Sequence, residues 1–283
     1  MKNKKIIFFI PTLAIGGGER VVSQLSLGFN KDIEKIIVLF KKEISYPYDA
    51  RIISLDVNFS GRLFSRIYNL TLGFLKFKSL VKKEKPDYVI SFGNSTNIIN
   101  ILSGSKAIVR VDNFVSNACR NNWEKIYKFL IKILFKKADK IIAVSKGIAD
   151  DLVENFKVPK QKIIVIYNPI NLKEIRELSL DSPEAEYGQI SNNQAIINVG
   201  RLSEQKGQWH LIKSFKLVKE KIKDAKLIIL GGGKLEFELK KLAKEMGLAN
   251  DVFFLGWKDN PFKYLAKAKD RRNCSYNIFF SAG

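Results

Sequence analysis

A series of short apolar runs, each apolar on consecutive positions instead of alternate ones, constrains this protein more than any other feature. The runs lie at Lys5 to Pro11, Lys35 to Phe40, Asp87 to Phe92, Lys106 to Val111, Lys140 to Ser145 and Lys162 to Tyr167. After a polar stretch they resume at Ala195 to Gly200, Lys226 to Gly231 and Asp251 to Gly256. They are rich in Ile and Val, the pattern of strands buried on both faces of a parallel sheet. Amphipathic stretches separate them; Leu63, Ile67, Leu70, Phe74, Phe77 and Val81 fall on one helical stripe. Strand, helix, strand in repetition implies a parallel sheet with right-handed crossovers. The expected fold class is α/β, built from doubly wound parallel sheets.

A boundary is legible as well. Asn168-Pro169 closes the sixth run, and Asp181 to Gln194 is polar with a proline and a glycine. The division expected is a first domain over residues 1–170, a linker over 171–194 and a second, shorter domain over 195–283. In open sheets of this kind ligands bind at the carboxyl ends of the strands, beside helix N-termini.

Composition narrows the classes of function. Hydrophobic residues make up 46% of the sequence, with 20 Phe and 9 Tyr, so a packed core is available. No apolar run is long enough to span a bilayer. The opening Met-Lys-Asn-Lys-Lys leads to a short apolar stretch and a glycine turn, unlike a secretory signal. Cys119 and Cys274 are far apart and His210 is the single histidine, which speaks against a zinc site or a disulfide scaffold. A reducing, cytoplasmic setting is expected. The formal charge of +21 attracts phosphate-rich partners such as nucleotides or an anionic membrane face, although lysine-rich codon usage offers a plainer account. No RNA- or DNA-binding motif accompanies the charge, so nucleic acid is not an expected partner.

Two glycine-bearing turns stand at strand ends. Gly16, Gly17 and Gly18 precede Glu19-Arg20 and a helix, where backbone N–H groups and the helix dipole can receive an anion. The spacing is not the dinucleotide fingerprint, a ligand-free tight turn is the plainer reading, and Glu19 would compete with a phosphate there. The second turn is Val199-Gly200-Arg201-Leu202-Ser203-Glu204-Gln205-Lys206-Gly207, again ahead of a helix. Arg201 can fork two phosphate oxygens and Lys206 adds a mobile point charge. In so basic a protein an Arg and a Lys on a loop need carry no role.

The motif Gly-Arg-Leu-x-x-x-Lys-Gly between strand and helix is very similar to the donor-diphosphate loop of family 4 (group 1) glycosyltransferases. Other segments agree in order. Ile10-Pro11-Thr12-Leu13 with Gly16 to Arg20 resembles the family's N-terminal glycine loop, and Ala138 to Ser145 its strand ending in Val-Ser. Tyr167-Asn168-Pro169-Ile170 resembles the interdomain turn. Leu230-Gly231-Gly232-Gly233 and Phe254-Leu255-Gly256-Trp257 resemble strands near the nucleotide. The resemblance implies two Rossmann-like domains of the GT-B type, an acceptor-side one and a partial donor-side one. It implies that Gly200, Arg201 and Lys206 bind the donor diphosphate. Arg201 and Lys206 would be catalytic through electrostatic stabilisation of the leaving group, with retention and with no metal or other cofactor. Gly16, Gly17 and Gly18 would form an acceptor or phosphate loop.

Two departures qualify this. Where many members place a histidine after the fourth strand run, this sequence has Asp112 and Asn113 as cleft candidates, and an anionic Asp is unsuited to a diphosphate. After Ala268 the family pattern calls for an apolar strand and a spaced pair of glutamates, whereas the sequence reads Lys269-Asp270-Arg271-Arg272-Asn273-Cys274-Ser275-Tyr276. The second domain is therefore expected to be incomplete, truncated at its C-terminal end, and the transfer activity impaired.

The expected function is transfer of a sugar from a UDP-like nucleotide sugar to a glycan or lipid-linked acceptor in surface polysaccharide synthesis. An inactive or binding-only protein, or a nucleotide-sugar epimerase of the same fold, remains open. Trp123, Ile126, Tyr127, Leu130 and Leu134 form one helical stripe and Lys125, Lys128, Lys132 and Lys136 another. Such a helix can lie on the inner face of a membrane as a peripheral contact, but ordinarily packs its apolar stripe on its own sheet. His210 is expected to be structural or at the surface, and Gly231 to Lys234 lacks the P-loop frame.

Overall fold

A computed structural model of the protein describes residues 4–14, 16–58, 63–116, 122–184, 187 and 195–269. It divides into two compact units, Met1–Pro169 and Ile170–Gly283. The first holds a sheet of seven strands: β1 (Lys5–Ile10), β2 (Glu34–Leu39), β3 (Arg51–Ser54), β4 (Tyr88–Phe92), β5 (Ala107–Val111), β6 (Lys140–Ala143) and β7 (Ile163–Val165). Their spatial order is β3-β2-β1-β4-β5-β6-β7, and neighbouring strands pair in parallel. The sheet is built outward from β1 in one direction and from β4 in the other. The switch point of this doubly wound sheet lies between them.

Residues alternate across the sheet, and each face has its own core. Ile7 and Phe9 of β1 join Ile36, Val38, Val89, Phe77 and Val81, the last two on α2 (Leu63–Glu84). Phe9 stacks on Phe77 with ring centroids 3.9 Å apart. Ile6, Phe8 and Ile10 point the other way, to Val21 and Val22 of α1 (Gly17–Gly28). Burial on both sides is why consecutive positions in these strands are apolar. The remaining helices of this unit are α3 (Asn94–Leu102), α4 (Asn122–Leu134) and α5 (Lys146–Glu154). Tyr127, Ile131 and Leu134 of α4 lie in one core with Val109, Val111, Ile141, Ile148 and Leu152.

The second unit has a parallel sheet in the order β10-β9-β8, from β8 (Ala195–Val199), β9 (Lys226–Leu230) and β10 (Val252–Phe254). Leu227 and Ile229 face α7 (Gln208–Lys221) and α8 (Glu236–Glu245), through Ile212, Phe215, Leu239 and Ala243. Ile197, Ile228 and Leu230 face Tyr187 and Tyr264, the latter on α9 (Phe262–Lys269). The fold is α/β throughout, and the second sheet is the smaller.

Every strand expected from an apolar run is present, with ends shifted by a residue or two. Strand β3 has no such run to announce it, because its four residues offer only Ile52 and Ile53 as apolar signal. The stretch 171–194, expected as a linker, begins with α6 (Leu172–Ser179), which packs against α9. Two amphipathic stripes also differ in detail. In α2 the inward run is Leu70, Phe74, Phe77 and Val81, while Ile67 is exposed. In α4 the packed stripe is Tyr127, Ile131 and Leu134, and Ile126 points outward. The side chain of Trp123 and residues 270–283, where the sequence departs from the family pattern, lie outside the described residues. Among the described residues no helix is long and apolar enough to cross a membrane.

Candidate functional site

The Gly-Arg-Leu-x-x-x-Lys-Gly loop of the second unit is held from below by backbone alone. The Gly200 N–H donates to the Leu230 carbonyl at 2.9 Å and the Leu202 N–H to the Gly232 carbonyl at 3.0 Å. These bonds carry the pairing of β8 with β9 past the ends of the strands. Two glycines make the approach possible. Gly231 sits at φ +138, and a Cβ there would collide with the carbonyl of Gly200; a Cβ on Gly233 would collide with the backbone of Leu202. Gly231 also donates to the Gly256 carbonyl at 2.7 Å, so the loops after all three strands are tied together. Leu202 is buried in the core beneath α7 and α8 and fixes the loop's centre.

On this platform the backbone turns through a short 3₁₀ segment, Glu204–Lys206, and Gly207 at φ +65 starts α7. That left-handed conformation is one that glycine adopts without strain. Gln208 is buried in the first turn and its Nε2 donates to the Arg201 carbonyl at 3.0 Å, leaving the Arg201 side chain to point outward. Arg201 is exposed and Lys206 half-buried. Burial pushes the Lys206 ammonium below its usual range, and the nearby charge of Arg201 pushes it further. Two cations that disfavour one another, beside a helix N-terminus, form a positive field suited to an anion. The geometry brings Gly200, Arg201 and Lys206 into one loop.

In the first unit, Gly16, Gly17 and Gly18 lead from β1 into α1. Glu19 folds back over Gly16, close enough that a Cβ there would strike its carboxylate. Glu19 stands in the first turn of α1, where the helix dipole favours a carboxylate. Gly17 faces open space, and Gly18 faces Arg110 and Asp112 from the end of β5. Arg110 is buried over the ring of Phe92, with its guanidinium carbon 5.2 Å from the centroid. Its Nη1 pairs with Asp112 Oδ1, and its Nη2 donates to Asn168 Oδ1 at 2.6 Å. Burial pulls Arg110 below the usual guanidinium range against the opposing pull of Asp112 and Glu19. Burial likewise pushes the Asp112 carboxyl up, more than Arg110 draws it down. Asp112 thus belongs to an ion pair next to the glycine turn, and Asn113 is exposed on the loop beyond.

Sequence reasoning points to Asp112 and Asn113 but passes over Arg110, which the structure places beside Asp112 at the glycine turn. A signal is present: an arginine near the end of a strand otherwise buried on both faces is a charge that must have partners. Its bond to Asn168 joins residues 58 positions apart and could not be read from spacing.

The profile of Glycosyltransferase Family 4 matches residues 15–174, and that of Glycosyl transferases group 1 matches residues 183–270. An N-acetylgalactosamine-N,N'-diacetylbacillosaminyl-diphospho-undecaprenol 4-alpha-N-acetylgalactosaminyltransferase from Campylobacter jejuni is 32% identical over 94% of this chain and 73% of its own length. An uncharacterised glycosyltransferase of Methanocaldococcus jannaschii is 35% identical over 67% of this chain and 50% of its own. Among solved structures, Anabaena HepE in complex with UDP-glucose is similar with a TM-score of 0.69, at 16% identity, over 93% of this chain and 71% of that one. The glycosyltransferase WaaG, involved in lipopolysaccharide biosynthesis, is similar with a TM-score of 0.67 at 14% identity, over 91% of this chain and 71% of its own. With a family profile over most of the first unit, a second over residues 183–270, and GT-B neighbours for the fold, this chain belongs to the group 1 (family 4) glycosyltransferases.

Proposed function

We propose that the protein transfers a sugar from a UDP-like nucleotide sugar to a lipid-linked glycan acceptor, with retention at the anomeric carbon. The observation that carries this reading is the pair Arg201 and Lys206 on a backbone-locked loop at the start of α7. Arg201 would fork the oxygens of the donor diphosphate, and Lys206 would place a point charge beside them. Both interactions strengthen as the bond to the anomeric carbon breaks and negative charge gathers on the leaving diphosphate. The cost of partial burial that Lys206 already bears leaves less reorganisation at that step. Cationic side chains take the part that a divalent metal plays in other transferases, so a chelator should leave transfer unchanged. The lipid-linked acceptor is supported by the Campylobacter relative, whose name gives a diphospho-undecaprenol substrate. Polysaccharide synthesis is the process it would serve.

Titration calorimetry with UDP and a panel of UDP-sugars, followed by transfer of labelled sugar to an undecaprenyl-diphosphate-linked acceptor, tests the proposal. Binding that weakens in Arg201→Ala and Lys206→Ala, and transfer that survives EDTA, are the expected results. A protein that binds no nucleotide sugar, or binds one equally well without both cations, would overturn it.

A further inference from the structure

Helix α7 buries Gln208, Ile212 and Phe215, which follow the i, i+4, i+7 spacing of a single inward stripe. Ile212 and Phe215 are the residue types such a stripe calls for. Gln208 is polar, yet at 1% exposure it is as deeply buried as Phe215. Its amide is only half used. Nε2 donates to the Arg201 carbonyl at 3.0 Å, an orientation the carbonyl imposes because it can only accept. Oε1 is buried and meets no partner among the described residues. A buried acceptor without a hydrogen bond opposes folding, and an apolar side chain of the same size would avoid that. Gln208 is therefore not the residue that best stabilises its position, and its contribution has to lie in the bond it does make.

That bond completes a clamp on Arg201. The peptide unit between Arg201 and Leu202 gives its N–H to the Gly232 carbonyl at 3.0 Å and offers its C=O to Gln208. One residue earlier, the Gly200 N–H donates to the Leu230 carbonyl at 2.9 Å. The two backbone bonds tie the loop to the neighbouring strand end; the bond from Gln208 comes from α7, the element that follows Lys206. A Cβ on Gly200 would stand 3.7 Å from Gln208 Nε2 and 4.0 Å from Lys206 Cγ, so the amide and the lysine stem lie over the same glycine. The chain leaves the sheet at Arg201, passes through Lys206 and is returned to Arg201 by Gln208.

We propose that Gln208 is a positioning residue, which fixes the backbone of Arg201 relative to Lys206 so that both cations meet one donor diphosphate. It does so while leaving an unpaired acceptor in the core, a trade that serves the site and not the fold. This role rests on the reading of Arg201 and Lys206 as diphosphate ligands, and it adds a side chain that acts through Arg201 without touching the donor.

Titration calorimetry of the full chain with UDP, in two backgrounds, tests it. Gln208→Met, close in volume and without a donor, should weaken UDP binding about tenfold with Arg201 in place, and by less than about twofold in Arg201→Ala. Its urea midpoint should be unchanged or higher, because the orphaned acceptor goes too and Arg201, being exposed, can turn its carbonyl to water. Gln208→Asn, shorter by one methylene and unable to span to the carbonyl, should show the same background-dependent loss. Equal losses in both backgrounds, no loss, or a fall in midpoint that parallels the fall in affinity overturns the proposal. Failure of both variants to fold does so too, since it would assign Gln208 to the core. A wild type that binds no UDP would remove the donor reading and this role with it. A wild type whose binding is weakened by Arg201→Ala but not by Gln208→Met would remove this role alone.

Discussion

Both units carry glycines in or against the turn that follows their first strand, yet the glycines do different work. In the second unit, Gly231 and Gly233 let one backbone lie directly against another, and the cations Arg201 and Lys206 stand above the platform so formed. In the first unit a Cβ on Gly18 would strike nothing and would stand in ordinary contact with Asp112 and Arg110, and that arginine is buried and already joined to Asp112 and Asn168. A buried charge with its counter-ion built in mainly holds structure; an exposed arginine on a backbone-locked loop suits the donor-binding role proposed above. Glycine content alone does not separate the two cases. What each absent Cβ would strike does.

The sharpest way to break this contrast is to restore a Cβ. Gly231→Ala meets both an unfavourable φ and the Gly200 carbonyl, and should destabilise the second unit by about 4 kcal/mol. Gly17→Ala, where nothing stands nearby, should change stability by no more than about 0.5 kcal/mol. Urea unfolding followed by intrinsic fluorescence compares them, and equal effects would remove the distinction.

Next in size is Arg110→Ala, which leaves Asp112 without its main partner in a half-buried site. A loss of about 3 kcal/mol is expected, recovered in part by adding Asp112→Asn, as a double-mutant cycle would reveal. If Arg110→Ala instead abolished ligand binding with stability intact, the first-unit cluster would be a receptor and the comparison would need redrawing.

Arg201→Ala should behave in the converse manner. Unfolding is expected to be unchanged within about 0.5 kcal/mol, while affinity for UDP drops by about 2 kcal/mol, roughly thirtyfold in Kd. Calorimetry on the same preparations measures both.

The smallest effect concerns Asp251, at the other end of the second sheet, paired with Lys219 and Lys226 at 2.7 Å each. Burial would raise its pKa, but the hydrogen bonds and charges of the two lysines outweigh it and hold the carboxyl below the usual range. Because the folded value is the lower one, its contribution is complete above the unfolded pKa of about 3.9 and fades as pH falls through the folded value. Asp251→Asn should cost about 1 kcal/mol near neutral pH and flatten the acid limb of the stability curve. An unaltered acid limb would mean that solvent already screens the pair.

These expectations differ in how far the sequence could support them. The strands are legible because burial on both faces writes itself as consecutive Ile and Val, and no tertiary knowledge is needed to see it. The loop after β8 is legible because Gly200, Arg201 and Lys206 lie within one short stretch of sequence. The first-unit cluster is not, since Gly18, Arg110 and Asn168 are brought together only by the sheet order. The outward turn of Ile126 on α4 escapes the sequence for a related reason. Periodicity shows that a helix has apolar residues, but when they nearly encircle it, only the packing decides which of them face the core.

The pairing of α6 with α9 bears on how the molecule can be divided. Asn260 Nδ2 donates to the Leu178 carbonyl at 2.7 Å and to Asp181 at 2.8 Å, and the Tyr187 hydroxyl donates to the Tyr264 carbonyl at 2.9 Å. A fragment begun at Ala195, where the second sheet starts, would strip α9 of these partners and expose the buried ring of Tyr264. A fragment begun at Ile170 keeps them. Separation of the second unit from the rest of the protein should therefore cut at the Asn168-Pro169 turn, well ahead of the first strand that the fragment is meant to contain.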